Sequence, residues 1–99
     1  MDFTIKNEKE NIVSISRLIG YVIIDTIAQI EYNMVRKLAL DNYPRFHAYV
    51  KVQGSNYLFS LHLDQKQPSY KSKGVHDHNA EYFGPVVDAE VDRIKEILK

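Results

Sequence analysis

Four histidines fall into two pairs, and the spacing of one pair suits metal ligation. His47 lies in the alternating run Phe46-His47-Ala48-Tyr49-Val50-Lys51-Val52, and His62 lies in a second run from Tyr57 to Asp64. Gln53-Gly54-Ser55-Asn56 separates them. Gly54 at the first central position of a two-residue loop suits a type II′ turn. Such a turn pairs residues whose numbers sum to 109, so His47 faces His62 and Arg45 faces Asp64. A one-residue slip would turn one strand's apolar set onto the wrong side, which specifies the register. Directly opposed residues have Cβ atoms about 4.5–5.5 Å apart, close enough for two imidazoles to share one ion. His76 and His78, in a later loop, point the same way if His76-Asp77-His78 is extended. Zinc takes four tetrahedral ligands at about 2.0–2.1 Å from nitrogen. Two strand histidines and one loop histidine leave the fourth position to Asp64, water or substrate. The metal-ligand candidates are therefore His47, His62, His76 and His78, with zinc or another divalent metal as the cofactor. The plainer reading is that the two strand rings stack on a half-exposed sheet and the two loop rings are solvated.

The same residues admit other chemistry. A histidine at neutral pH can act as a general base, and a nearby cation can stabilise a phosphate in its transition state. Arg45, Lys66 and Tyr49 are placed for that, which makes a phosphodiester hydrolase the enzymatic reading. Arg45 and Asp64 also suit each other as a simple surface ion pair. Tyr43, Arg45, Tyr49, Lys51, Lys66, Tyr70 and Lys71 mix bases with aromatics, as single-stranded nucleic acid requires. Residues 36–73 carry seven bases against Asp41 and Asp64, although the whole chain has zero net charge and a pI near 6.9. That balance falls short of the basic footprint of nucleic-acid-binding proteins. Leu58 and Tyr49, on an otherwise polar face, could instead meet a second copy of the chain as a homodimer. The sequence has no P-loop, dinucleotide fingerprint, nucleophile elbow or EF-hand loop, so a binding domain rather than an enzyme is the default expectation. Its ligand-binding candidates are Arg45, Tyr49, Asp64, Lys66 and Tyr70.

The 99 residues suit a single domain spanning 1–99, with 44% hydrophobic and 26% charged residues. The absence of cysteine excludes disulfides and cysteine-based zinc sites and fits a reducing compartment. Met1-Asp2-Phe3-Thr4-Ile5-Lys6 lacks the apolar run of a signal peptide. Ile19–Ile30 is interrupted by Asp25 and Gln29 and is too short to span a bilayer. A cytoplasmic protein without a membrane segment is expected.

The elements that must hold these residues can be read in outline. Residues 2–6 suggest a strand or an ordered arm. Asn7 and Glu10 resemble a capping box ahead of a helix whose stripe is Ile12, Ile15, Leu18 and Ile19. Gly20 suits its left-handed end. Tyr21–Thr26 is rich in β-branched residues and reads as a strand. Gln29–Leu38 alternates, with Ile30, Tyr32, Met34 and Leu38 on one side. No Gly, Asn or Pro marks a turn near Ile27-Ala28, so a continuous helix over 22–38 competes. Asp41-Asn42-Tyr43-Pro44 is a turn before the hairpin of 45–64. Residues 65–84 form a long stretch with no periodic element. Pro85 opens a final helix with Val87, Val91, Ile94 and Leu98 as its stripe, and Asp88 and Glu90 complement its dipole. These elements predict an α+β domain: a mostly antiparallel sheet of three to five strands with two amphipathic helices packed on one face. The face bearing the histidines is left to water, to the long loop or to a partner.

Tyr43-Pro44-Arg45-Phe46-His47, Leu61-His62-Leu63-Asp64-Gln65-Lys66 and Tyr70 together resemble a pattern in small uncharacterised bacterial proteins. The resemblance implies a bacterial cytosolic setting and no particular activity. The helix followed by Gly20-Tyr21-Val22 also resembles the opening of HicA-type messenger-RNA-cleaving toxins, whose helix-sheet-helix fold is related to double-stranded-RNA-binding domains. Those toxins carry a catalytic histidine shortly after the first strand, where this chain has Asp25-Thr26-Ile27-Ala28. The resemblance therefore implies a fold and assigns no catalytic residue.

Overall fold

The computed structural model describes residues 1–6, 10–65 and 80–99. The elements run β1 (Asp2–Lys6), α1 (Ile12–Ile19), β2 (Val22–Ile27), β3 (Glu31–Lys37), β4 (Arg45–Gln53), β5 (Asn56–Asp64), β6 (Ala80–Glu81) and α2 (Pro85–Leu98). All strand pairs are antiparallel, in the order β1-β5-β4-β3-β2, and β6 pairs with β5 at Leu63 and Asp64. The architecture is the expected α+β sheet with two helices, plus a short sixth strand inside the stretch read as aperiodic.

Alternation builds the core. Phe46, Ala48 and Val50 of β4 and Phe59, Leu61 and Leu63 of β5 are all buried, and they pack with Ile12, Ile15, Ile19, Val87, Val91 and Ile94 of the helices. Phe3 stacks on Phe59 with ring centroids 4.9 Å apart, which joins β1 to this layer. Burying each such side chain contributes about 1.5–3 kcal/mol. The β4–β5 hairpin keeps the expected register from Arg45↔Asp64 to Gln53↔Asn56. Gly54 takes φ 60° while Ser55 stays at negative φ, as a type II′ turn requires.

Two local expectations are corrected. The cap of α1 is Asn11, not Asn7: its Oδ1 accepts from the Ser14 amide at 2.9 Å. Asn11 directly precedes Ile12, the first buried residue of the stripe, and Asn7 lies outside the described residues. Residues 22–38 form two strands rather than a helix. Ala28 (φ 52°) and Gln29 (φ 59°) both adopt left-handed backbone, and the Ile30 amide donates to the Ile27 carbonyl at 3.1 Å. This is the geometry of a type I′ turn without its usual Asn or Gly. The Tyr32 hydroxyl adds a bond to the Gln29 carbonyl at 2.9 Å. Burial of Ile23 and Met34 on the core side outweighs the local cost. Ile30 and Leu38, expected on the inner side of this strand, lie beyond its ends and are exposed.

Glu90 also departs from expectation. It is buried rather than serving the helix dipole. The Tyr21 hydroxyl donates to its Oε2 at 2.6 Å, and Arg93 donates to both its oxygens at 2.7 and 3.0 Å. Arg93 also reaches the carbonyl of Ile19 at the end of α1. The cluster ties α2 to α1 and to the start of β2. Burial, then the bond to Glu90, pushes the Tyr21 phenol far above its ordinary range.

Candidate metal centre

The strand registers arrange the sheet face opposite the helices in four rows. Lys37, Arg45 and Asp64 form one. Val22, Val35, His47 and His62 form the next. Asp25, Asn33, Tyr49, Ser60 and Asp2 form the third, and Ile27, Glu31, Lys51, Leu58 and Thr4 the fourth. The hairpin thus brings His47 and His62 side by side, with Asp64 two residues beyond His62 on the same face.

These three residues converge. The ring centroids of His47 and His62 are 4.8 Å apart at 60°. His62 Nε2 lies 2.9 Å from Asp64 Oδ1, and His47 Nδ1 lies 3.6 Å from Asp64 Oδ2. One ligand atom from each residue falls within 4.8 Å of the other two. Tetrahedral ligands about 2.0–2.1 Å from zinc stand roughly 3.3 Å from one another, so small side-chain movements would close the set.

Polar groups flank both rings. His47 Nε2 lies 3.1 Å from Asn33 Oδ1. The other ring nitrogen, Nδ1, faces Asp64, so both nitrogens of His47 have a polar neighbour. A metal-ligating histidine is held in the same way by a polar group on its other nitrogen. Burial, followed by the neighbouring His62, holds the His47 ring below the ordinary histidine pKa, and Asp64 offsets this only in part. The neutral ring that a metal requires is the favoured form.

The face is less open than the sequence suggests. His62 is only 8% exposed. Tyr82 lies against it at 5.2 Å, and Tyr49 packs on His47 at 4.4 Å. The Met1 nitrogen donates to the carbonyls of Leu61 and Tyr82 at 3.0 and 3.1 Å, which holds Tyr82 beside β5. Arg45 and Asp64 are not a solvated surface pair. Their side chains are 19% and 20% exposed, and Arg45 Nε stands 3.8 Å from Asp64 Oδ2. That Nε is buried without a hydrogen-bond partner, while the guanidinium stacks over Tyr43 at 4.6 Å.

Of the residues chosen from sequence, the structure gathers His47, His62, Asp64, Arg45 and Tyr49. Lys66, Tyr70, His76 and His78 lie outside the described residues. Sequence reasoning missed Asn33 and Tyr82; Tyr43, named only among the aromatics of the nucleic-acid reading, lies against Arg45. Beside the cluster is a concavity of about 600 Å³ whose lining comes from all five long strands, with Tyr49, Asn33 and Leu58 among it. Leu58 and Tyr49, read as a contact patch for a second copy, therefore line a hollow. Exposed apolar residues gather instead along β2 and its turn, at Val22, Ile24, Ile27 and Ile30. Among the described residues no helix is long and apolar enough to cross a membrane. No protein-family model, curated protein or solved structure matches the chain.

Proposed function

We propose that this protein is a small divalent-metal-binding domain whose ligands are His47, His62 and Asp64. The observation that carries the reading is the convergence of two imidazoles and one carboxylate within 4.8 Å on adjacent rigid strands. The contact of His47 Nε2 with Asn33 Oδ1 supports it by engaging the ring nitrogen that does not face Asp64. Two nitrogens and one oxygen suit zinc with an open fourth position, and the same set suits non-haem iron(II). A cation entering here takes the place of the His62 proton on Asp64 and competes with Arg45 for the same carboxylate. The lack of cysteine supports a reducing, cytosolic setting, and the Tyr43–His47 and Leu61–Lys66 pattern supports a bacterial one.

The nucleic-acid reading draws no support from the charges of this face. Lys51 pairs with Glu31 at 3.6 Å, Arg45 faces Asp64, and Asp2 adds a further acid. Among the described residues these pairs leave no continuous unopposed basic stripe on this face to follow a phosphate backbone.

Zinc titration by calorimetry tests the proposal. Wild-type protein is expected to bind one ion per chain, and His62→Ala and Asp64→Asn to bind far more weakly. Equal heats for the wild type and both variants would overturn it.

A further inference from the structure

The hollow on this face is separate from the metal cluster: none of His47, His62, Asp64 or Arg45 lines it. The strand registers lay out its floor. Tyr49 of β4, Ser60 of β5 and Asp2 of β1 stand opposite one another in one row, and Lys51, Leu58 and Thr4 in the next. All six line the hollow. Asp2 therefore lies two strand spacings from Tyr49, about 10 Å. Ser60 lies between them, and Leu58 lies two residues from Ser60 on the same strand and face. At about 600 Å³ the hollow lies within the range that holds small organic ligands.

Its charges select the sign of that ligand. The lining carries two acids, Asp2 and Glu31, and one base, Lys51. Lys51 is engaged by Glu31 at 3.6 Å, which leaves the lining without a free cation to receive an anion. Asp2 is exposed and has no cationic partner among the described residues. Asp25, beyond Asn33 in the row of Tyr49, adds a further acid to the face. The body of the ligand follows from the other side chains. Tyr49 is half exposed and offers a ring for stacking, and Leu58 offers an aliphatic flank beside it.

We infer that the hollow binds a small aromatic amine, its ammonium on the Asp2 carboxylate and the Ser60 hydroxyl and its ring against Tyr49 and Leu58. Such a ligand lies across the strands rather than along them. Every group that holds it comes from β1, β5 or β4, which are hydrogen-bonded neighbours. An ammonium donates to the carboxylate and the hydroxyl alike, and the bond to the carboxylate is charge-assisted. The inference is independent of the metal reading.

Amide NMR of the protein in chelator, titrated with tryptamine and with indole-3-propionate, tests this. The two compounds share a ring and differ in the sign of their charge. Tryptamine is expected to shift the amides of Asp2, Ser60 and Tyr49 saturably and to bind more tightly than the acid. Asp2→Asn, at an exposed position that leaves folding intact, should weaken tryptamine by about fivefold, the upper end for an exposed charge pair, and narrow the gap between the two compounds. Leu58→Ala should weaken both compounds. No saturable shift, equal affinity for amine and acid, shifts centred away from the hollow, or a tryptamine affinity untouched by Asp2→Asn would each overturn the inference. Because metal is withheld, none of these results bears on the zinc titration.

Discussion

Acid should destabilise this domain through His47, and the sign follows from what surrounds the ring. Burial is the largest cause of its lowered pKa, the neighbouring His62 and then Arg45 act the same way, and Asp64 opposes them. In the unfolded chain the ring titrates near 6.5. Between the folded value and about 6.5, the unfolded state therefore holds a proton that the folded state lacks. Stability rises with pH wherever the unfolded state binds more protons. The contribution of His47 is thus complete above about pH 6.5 and is lost as pH falls through the folded value. One proton limits the slope to about 1.4 kcal/mol per pH unit. For a domain of this size that slope corresponds to up to about 6–11 °C in Tm per pH unit. The assay is thermal unfolding followed by circular dichroism from pH 5.5 to 7.5, with a chelator present so that protons alone compete for the site. His47→Gln keeps a donor for Asn33 and removes the titration, so its Tm should vary less over this range than that of the wild type. Parallel Tm curves for the two proteins would refute the reasoning, because the ring would then not be desolvated against its neighbour.

Two further predictions concern folding rather than the site. Glu90→Gln should cost about 2–4 kcal/mol in urea denaturation, below the full penalty of a broken buried pair because Arg93 retains contact with water; Tyr21→Phe, which removes one donor to that carboxylate, should cost less. Gln29→Gly should stabilise the protein by about 1 kcal/mol in the same assay, since it relieves left-handed backbone at a position where a type I′ turn favours glycine.

The β4–β5 hairpin was legible because every device that fixes a register occurs in one short stretch. Alternation assigns Phe46, Ala48, Val50, Phe59, Leu61 and Leu63 to the core, and Gly54 sets the turn, so the pairing of His47 with His62 follows. The end of α1 at Gly20 and the start of α2 at Pro85 were legible for an equally local reason: each needs one residue type at one position. The turn at Ala28-Gln29 was not legible. Its residues carry no preference for the backbone they adopt, and the conformation is imposed by two strands that bury Ile23 and Met34. Glu90 misled for a related reason. Its place near the start of α2 suits a dipole partner, and only the packing of α2 against Tyr21 and Arg93 turns it inward.

The site divides along the same line. Its two rings and Asp64 belong to the hairpin and could be named from sequence; what prepares them belongs to elements whose register depends on longer range. Asn33 stands opposite Tyr49 and reaches His47 Nε2 directly only because β3 and β4 pair with Val35 opposite His47. Residues 38–44 connect those strands without a tight turn to impose that pairing. Tyr82 reaches His62 only because β6 adds to the edge of β5 and the Met1 nitrogen holds the Tyr82 carbonyl. A bare pair of opposed histidines on an open sheet would be solvated and free to take either tautomer. With Tyr49 and Tyr82 against the rings and Asn33 beside Nε2 of His47, the pair is shielded and its orientation is held. Asp64 Oδ1 sits 2.9 Å from His62, so its carboxylate meets both rings from the one remaining side. The proposed metal site rests on that combination of desolvation, held rings and a shared carboxylate, which two histidines stacked on an open sheet would lack.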